Sequence, residues 1–439
     1  MERTLLVTFL ATSGQVTLEV LKNMWRAREK SNKIQLSFKY KVYPTREVEE
    51  KLLRVMQVEA KVYNALLDAV NNARKEGKKI TPKDTQNMLK ELKIEGKELV
   101  YSKVLQMVNN QLWYNINSLH KLKKKGRRVG KLRYKKIMKT INYNQSGFKV
   151  QGDKLFLSKI GEIKVLFHRP LEGEVKGVII KKNVTGWYAI FQVEVEKKPL
   201  EKTGKVVGID LGVEKLVTTS DGVVVENPKV FDKVERRMKI LQKLLSREKK
   251  GSRNYEKVRK KLAKLHEHVK NLMNDYIHKV TSWLVEQYDE IYVEDLDVKE
   301  MVEDSESKVL RKHILHSNFS KFVSYLSYKA ERAGRRVVKV DPRNTSKTCA
   351  RCGHVKKDLT LTDRVFVCPK CGCVADRDYN ASLNILRAGS GLPLEPVDRE
   401  PLLYIPFSEG VYSKFLERSR KSSSRGGDAP SVTVDPKSY

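Results

Sequence analysis

A multidomain α+β chain is predicted: an N-terminal β-barrel carrying a helical insertion, then an α/β domain carrying a small inserted metal ribbon. Three observations predict it. Short alternating runs broken by Gly, Asp and Asn fill residues 140 to 200, the pattern of an antiparallel sheet or small barrel. Beyond residue 200 the strand and helix signals follow one another as βββαβαβα. Two Cys-x-x-Cys pairs lie close together near the C-terminus, at the spacing of a closed metal site.

Residues 1–34 read as an extension before the first clear element. SFKYKVYP (37–44) alternates and reads as a strand. Pro44 ends it, and Thr45 is placed to cap a helix whose first turns hold Glu47, Glu49 and Glu50. Val48, Leu52, Val55, Val62 and Leu66 then recur at helical spacing. A β-barrel domain is drawn over 35–200, with the helices as an insertion at about 45–140.

KLKKKGRRVGKLRYKKIMK (121–139) holds eleven Lys or Arg among 19 residues and no acid. A run of this kind is often only a solvated loop. In a chain this basic it is read as a segment that tracks phosphates, with one ring available for stacking. The candidate contacts are Lys123, Lys124, Lys125, Arg127, Arg128, Arg133, Tyr134 and Lys135.

The second domain is drawn over 201–388. KVVGIDLGVEKLVTTSDGVVVEN (205–227) reads as three strands, with Asp221-Gly222 as a hairpin turn. Val234, Met238, Leu241 and Leu245 mark one helix, and Gly251-Ser252 breaks it. Val258, Leu262, Leu265, Val269 and Leu272 mark a second at coiled-coil-like spacing. His266, His268 and His278 on this pair are read as ordinary helix residues, since nothing at metal-ligand spacing supports them. DEIYVEDLDV (289–298) is a strand ending in acids. A helix through Phe319, Phe322, Val323, Leu326 and Ala330 stops at Gly334, RRVVKVD (335–341) is another strand, and NASLNILRA is the last helix. That is the chain order of an RNase H-like domain. The tail from 389 to 439, rich in Ser, Gly, Pro and charge, is read as largely disordered.

Charge narrows the partners. Lys plus Arg is 88 against 53 for Asp plus Glu, a formal net charge of +35. Such an excess suits a polyanion, because each neutralised phosphate releases condensed counterions. No apolar run of about 18 residues exists, which argues against a membrane span. The start, MERTLLVTFLATSGQ, lacks a convincing cleavage site, so a signal peptide is not expected. A secreted disulfide scaffold would spread its cysteines through the fold. Here all five fall within 25 residues. The expected location is therefore the cytoplasm of a prokaryote, at the nucleoid when bound to DNA.

Cys349, Cys352, Cys368 and Cys371 form two pairs with 15 residues between them. Four thiolates give a closed tetrahedral zinc site with no open position, so one structural zinc is expected, in a ribbon at 346–374. Gly353 and Gly372 let each knuckle turn, and Cys373 is left over.

Three carboxylates carry the chemistry. Asp210 ends the apolar strand VVGID, Glu294 ends IYVE, and Asp378 opens the last helix. Gly208 and Gly212 beside Asp210 are read as leaving room for a nucleic-acid backbone. An acid at a strand end is usually a solvated loop residue. Three converging from separate elements are what two Mg²⁺ ions need for phosphodiester cleavage, since Mg²⁺ prefers oxygen ligands. Asp376 is set aside as a helix cap, and Asn380 is a supporting candidate behind the acids. Asp295 alternates away from Glu294, and Asp297 is expected to face elsewhere too.

GIDLG, VEDL and TSKTCARCG…FVCPKCGCVADRDYNASLNI, with the FKYKVYPT and IGEIKVLFHRPL segments, resemble the TnpB (OrfB) proteins of insertion sequences over roughly residues 35 to 390. The cysteine-plus-DRDxNA block is the specific part. The resemblance implies an RNA-guided DNA endonuclease related to compact type V CRISPR effectors. It implies a RuvC domain whose Mg²⁺-binding triad falls on Asp210, Glu294 and Asp378. The implied partners are a guide RNA from the transposon end and a DNA target met as double and single strands. A short motif beside the target would be read from within residues 37–200. Alternatives from other classes are a catalytically inactive RNA-guided DNA-binding regulator and an unguided RuvC-type nuclease. Residues 1–34 have no counterpart in the resemblance.

Overall fold

The computed structural model describes residues 32–305, 307–360 and 363–391, together with the backbone of Leu403–Ile405. The extension up to residue 31 and most of the tail lie outside the described residues. The chain divides between Lys197 and Lys198 into two compact units.

The first unit starts with β1 (Lys33–Tyr43), whose Ile34, Phe38, Tyr40 and Val42 face inward while Lys33, Lys39 and Lys41 face out. Thr45 caps α1 (Arg46–Lys75) by accepting from the Val48 N–H. A capping box between Thr81 and Asp84 starts α2 (Pro82–Glu91), and α3 (Ser102–Lys124) follows. The chain then forms β2 (Thr140–Asn144), β3 (Phe148–Gln151), β4 (Lys154–Leu157), β5 (Gly161–Leu166), β6 (Glu174–Asn183) and β7 (Gly186–Glu196). These strands make one antiparallel sheet in the order β2-β6-β7-β1-β5-β4-β3. β1 lies in its middle, although α1 to α3 separate it in sequence from every partner. The two end strands, β2 and β3, are joined only by the turn Gln145–Gly147. So short a link makes the sheet curl on itself into a near-barrel.

The second unit opens with β8 (Val206–Asp210), β9 (Lys215–Thr219) and β10 (Val223–Glu226). The helical pair α4 (Val230–Arg247) and α5 (Arg253–Gln287) packs Met238 against Leu265 and Val269. Then come β11 (Glu290–Glu294), α6 (Val298–Glu303), α7 (Lys308–Ser317), α8 (Phe319–Arg332) and β12 (Arg336–Val340). Neither α6 nor α7 is expected from the sequence. A short hairpin, β13 (Val365–Val367) with β14 (Val374–Asp376), precedes α9 (Arg377–Ser390). β15 (Leu403–Ile405) pairs in parallel with β10 and completes a six-stranded sheet, β12-β11-β8-β9-β10-β15. Within the tail read as largely disordered, Leu403–Ile405 add a strand to an open edge, and the rest of the tail beyond Gly391 lies outside the described residues.

Alternation along the central strands sorts the helices onto two faces. Val207, Ile209, Ile291 and Val293 pack with Ile277, Leu284, Phe322 and Leu326 of α5 and α8. Gly208 and Tyr292 point the other way, where α9 lies.

Candidate active site and cysteine centre

β8 and β11 are parallel neighbours, with Val293 beside Ile209 in the ladder. The next residues on each strand are Glu294 and Asp210. They stand side by side at the C-terminal edge of the sheet, on neighbouring strands about 4.8 Å apart. By the two-residue period of a strand, Asp210 shares a face with Gly208, and Glu294 shares it with Tyr292. That is the face covered by α9.

α9 is seated there by two glycines. A Cβ on Gly208 would lie 2.3 Å from the carbonyl oxygen of Ser382 and 2.5 Å from the Leu386 nitrogen. A Cβ on Gly389 would lie 1.9 Å from the Tyr292 ring. The helix backbone therefore rests on the strand itself. Asp378 lies one turn before Ser382 and points its carboxylate toward the same edge as Asp210.

This overturns one expectation. The room beside Gly208 is filled by α9, and a Cβ on Gly212 would meet the Lys215 carbonyl oxygen at 2.7 Å. Neither glycine leaves space for a nucleic-acid backbone, because the chain's own backbone takes it.

Asp210 feels the other two acids. Burial holds the Asp210 carboxyl well above the usual carboxylate range, and the charges of Glu294 and Asp378 push the same way. Burial also raises Glu294, and a hydrogen bond from the Thr345 hydroxyl opposes that rise. Glu294 and Asp378 are both buried. Two cations stand against the cluster. Lys215 reaches Asp376 at 2.5 Å and Asp378 at 3.8 Å, and Arg377 donates to Asp378 at 3.1 Å. Asp376 accepts from the Asp378 and Tyr379 N–H groups and so caps α9. Asp295 is engaged by Lys339 at 2.6 Å, and Asp297 caps α6.

A loop ties this site to the cysteines. Asn380 accepts from the Ala350 N–H at 2.9 Å and donates to the Thr348 carbonyl at 2.7 Å. Asn384 donates to the carbonyls of Thr345 and Thr348. The segment Thr345–Ala350 thus touches Glu294 through Thr345 and α9 through the two asparagines, then enters the first cysteine knuckle. Sequence reasoning missed Thr345, Asn384, Lys215 and Arg377 as parts of the site. DRDxNASLN, with asparagines one helical turn apart, was the available signal for Asn384.

The ligand sulfurs of Cys349, Cys352, Cys368 and Cys371 all lie within 4.8 Å of one another, the one such group among the described residues placed to hold a metal ion. Cys349 and Cys371 are 3.7 Å apart, and Cys352 and Cys368 are 3.5 Å apart. A tetrahedron with Zn–S bonds of about 2.3 Å has edges of about 3.8 Å. The cluster is close to that size, so the residues fit a tetrahedral thiolate-bound metal. Gly353 and Gly372 turn the two knuckles at φ of +73° and +69°. Cys373 is buried beside the cluster. The three carboxylates are not drawn together as closely as the thiolates.

The basic segment lies partly on α3 and partly beyond it. Lys123, Lys124, Lys125, Arg128 and Arg133 are exposed, and Arg127 is half-buried. Tyr134 is exposed, and its hydroxyl donates to Asp68. Lys135 sits over the Tyr63 ring at 3.9 Å, and its backbone pairs with Asn64. Lys135 also faces Glu59, a carboxyl buried inside α1.

Residues 190–305 match a family described as a probable transposase, OrfB of IS605. Residues 319–385 match a Cas12f1-like TNB domain. Residues 32–79 match a family named for a helix-turn-helix, although here they form β1 and the single helix α1. A Streptomyces pristinaespiralis protein named "Putative RNA-guided DNA endonuclease" is 31% identical over 367 residues, covering 81% of this chain and 90% of that one. The chain belongs to the TnpB (OrfB) family. A second member, from Escherichia coli K12 and named "Putative RNA-guided DNA endonuclease InsQ", is 34% identical over 252 residues. That match covers 54% of this chain and 63% of the relative. The fold is also similar to the protein in a Cas12f1–sgRNA–target DNA complex, with a TM-score of 0.54 at 15% identity. That likeness covers 81% of this chain and 99% of the other. This chain thus shares a multidomain α+β fold with that protein. No described helix is long and apolar enough to cross a membrane.

Proposed function

We propose that this TnpB-family protein is an RNA-guided DNA endonuclease encoded by an insertion sequence, cutting at Asp210, Glu294 and Asp378. The observation that carries the reading is the meeting of three acids from two strand ends and one helix start on a single sheet edge. A buried carboxyl such as Asp210, pushed up by burial and by two acids beside it, gains most from a cation between them. Two Mg²⁺ ions would supply the attacking hydroxide at neutral pH and shield the leaving oxygen. Asp210, Glu294 and Asp378 would hold them. Thr345 orients Glu294 and opposes the rise of its pKa, and Gly208 lets α9 bring Asp378 to the edge. Lys215 and Arg377 hold Asp378 in place while the acids are otherwise unbalanced.

The strand order β12-β11-β8-β9-β10, with acids on β8, β11 and the last helix, supports an RNase H-like (RuvC) class for this unit. The cysteine cluster is read as one structural zinc, four sulfurs leaving no open position. Guide RNA and the DNA target are assigned as partners on the +35 charge and on what the relatives' names state. The exposed part of 121–139 is assigned to phosphate contacts. We assign residues 35–200 to the near-barrel with its helical insertion, 201–388 to the nuclease domain and 346–374 to the ribbon. A cytoplasmic location follows from the same reading.

The deciding experiment supplies the protein with RNA from its own element's end and a DNA library of flanking motifs, in Mg²⁺. Asp210→Ala is expected to abolish cutting while leaving RNA and target binding intact. Undiminished cutting by that variant would sink the catalytic assignment.

A further inference from the structure

The C-terminal unit contains a cavity of about 200 Å³ between the starts of α4 and α8, the middle of α5 and the end of α7. Its lining brings together His266, His313, His316, Lys229, Lys270 and Lys321 from four separate stretches of chain. It lies outside the carboxylate and cysteine sites, and neither uses any of these residues. Among the described residues these histidines belong to no group of three or more ligands close enough to hold a metal ion.

The chemistry of the lining favours an anion. Asp232 is the only acid in the lining, among the described residues. It is already engaged, by Lys312 at 3.3 Å and by His313 at 3.8 Å. Lys321 donates to Asn274 at 3.0 Å and to Asn318 at 3.3 Å, which leaves the third of its three N–H donors. Burial and the neighbouring Lys270 ammonium both hold Lys321 below its ordinary pKa. Lys321 is thus partly desolvated and close to a second, exposed ammonium.

The backbone adds to this. α4 and α8 both begin at the cavity, on Lys229 and Asn318, and neither start carries a side-chain cap. Both residues sit in the left-handed region, at φ of 44° and 56°. Two long helices thus direct the positive ends of their dipoles to one place where lysines and histidines already converge. Phe231 and His316, stacked at 3.8 Å, form one wall. A group with several acceptor oxygens and more than one negative charge, or one per repeat along a chain, suits this set of donors better than a single carboxylate.

We propose that this cavity binds a phosphate group, presented in the working protein by a nucleic-acid backbone. The site shares no residue with the cutting edge or with the basic run at 121–139. Its role is to hold a phosphodiester fixed on the nuclease unit itself.

The test reads the histidines directly. The full-length, metal-loaded protein would be labelled at its eight histidines, and their ring signals followed by NMR. Those of His266, His313 and His316 would be assigned with H266Q, H313Q and H316Q. The two probes are inorganic phosphate and a five-nucleotide oligouridylate. The expected result is a saturable shift of these three signals with both, the oligonucleotide acting at lower concentration. Lys229 and Lys270 are exposed, so Lys229→Glu with Lys270→Glu should leave the melting temperature unchanged. It should raise the midpoint by at least about tenfold, the loss of roughly one charge-assisted contact. Lys270→Arg should restore most of the affinity. Stronger action by inorganic phosphate would keep the phosphate site but overturn the nucleic-acid source. Unmoved histidine signals with both probes would overturn the proposal altogether.

Discussion

Replacing Gly208 with alanine adds one methyl group at the contact that seats α9. The new carbon would stand 2.3 Å from the Ser382 carbonyl oxygen and 2.5 Å from the Leu386 nitrogen, both backbone atoms. Ordinary contact needs about 3.4 Å, so α9 must withdraw by roughly 1 Å. Asp378 is on the same helix, four residues before Ser382, and moves with it. A misplacement of about 1 Å in a catalytic group costs roughly 10²-fold in rate. Overpacking of this kind also costs about 1–3 kcal/mol of stability. The assay is single-turnover cleavage with guide and Mg²⁺, beside a thermal melt of the same preparation. Gly389→Ala is the control. Its methyl would meet the Tyr292 ring at the far end of α9, and a ring can swing where backbone cannot. It should lose stability with a much smaller rate loss. If Gly208→Ala cuts within about threefold of the unaltered protein, the seating of α9 does not position Asp378 and the reasoning fails.

Three further outcomes follow from the same structure. Cys349→Ser or Cys368→Ser should lower bound zinc from one per chain to well below one and destabilise the second unit by several kcal/mol, measured by metal analysis and urea melts. Cys373→Ser should leave zinc in place. Thr345→Val removes the hydroxyl donated to Glu294, so the Glu294 pKa rises further. The acid limb of the cleavage pH profile should move to higher pH, and the rate at neutral pH should fall about tenfold, one hydrogen bond to a charged group being worth about 1.5–3 kcal/mol. Glu59 is held well above its ordinary pKa, by burial first, with Lys135 opposing. Its contribution to stability is present at low pH and is lost as pH rises through the folded-state value. Glu59→Gln should therefore flatten the decline of first-unit stability as pH rises above the ordinary carboxylate range, in urea melts. An unchanged slope would show that Glu59 is not the group responsible.

The parts of this molecule that sequence reveals are those with a local signature. Alternation in SFKYKVYP marks β1, and the apolar stripes with Gly251-Ser252 between them mark α4 and α5. Four cysteines in two pairs mark their cluster, since ligand spacing is itself local. Asp210 and Glu294 stand out because each ends an apolar strand. What sequence does not show is what lies across space from each residue. Gly208 looks like an opening until α9 is seen on top of it. Thr345 is an unremarked loop residue until its hydroxyl meets Glu294 from 51 positions away. His266, His313 and His316 have no common spacing, and only the packing of α4, α5, α7 and α8 brings them to one cavity. β15 is invisible for a similar reason: three residues carry too little pattern to announce a strand whose partner is β10.

The central place of β1 in its sheet bears on how the chain is made. β1 leaves the ribosome before its partners β5 and β7, whose residues run to Glu196. At typical synthesis rates it waits roughly ten to thirty seconds with both edges unpaired. Meanwhile α1 to α3, built on local contacts, can form in full and bring the two ends of the insertion close together. The lysines at 33, 39 and 41, spaced along the outward side of β1, then act as gatekeepers. They keep a waiting strand from pairing with the same strand on a neighbouring nascent chain.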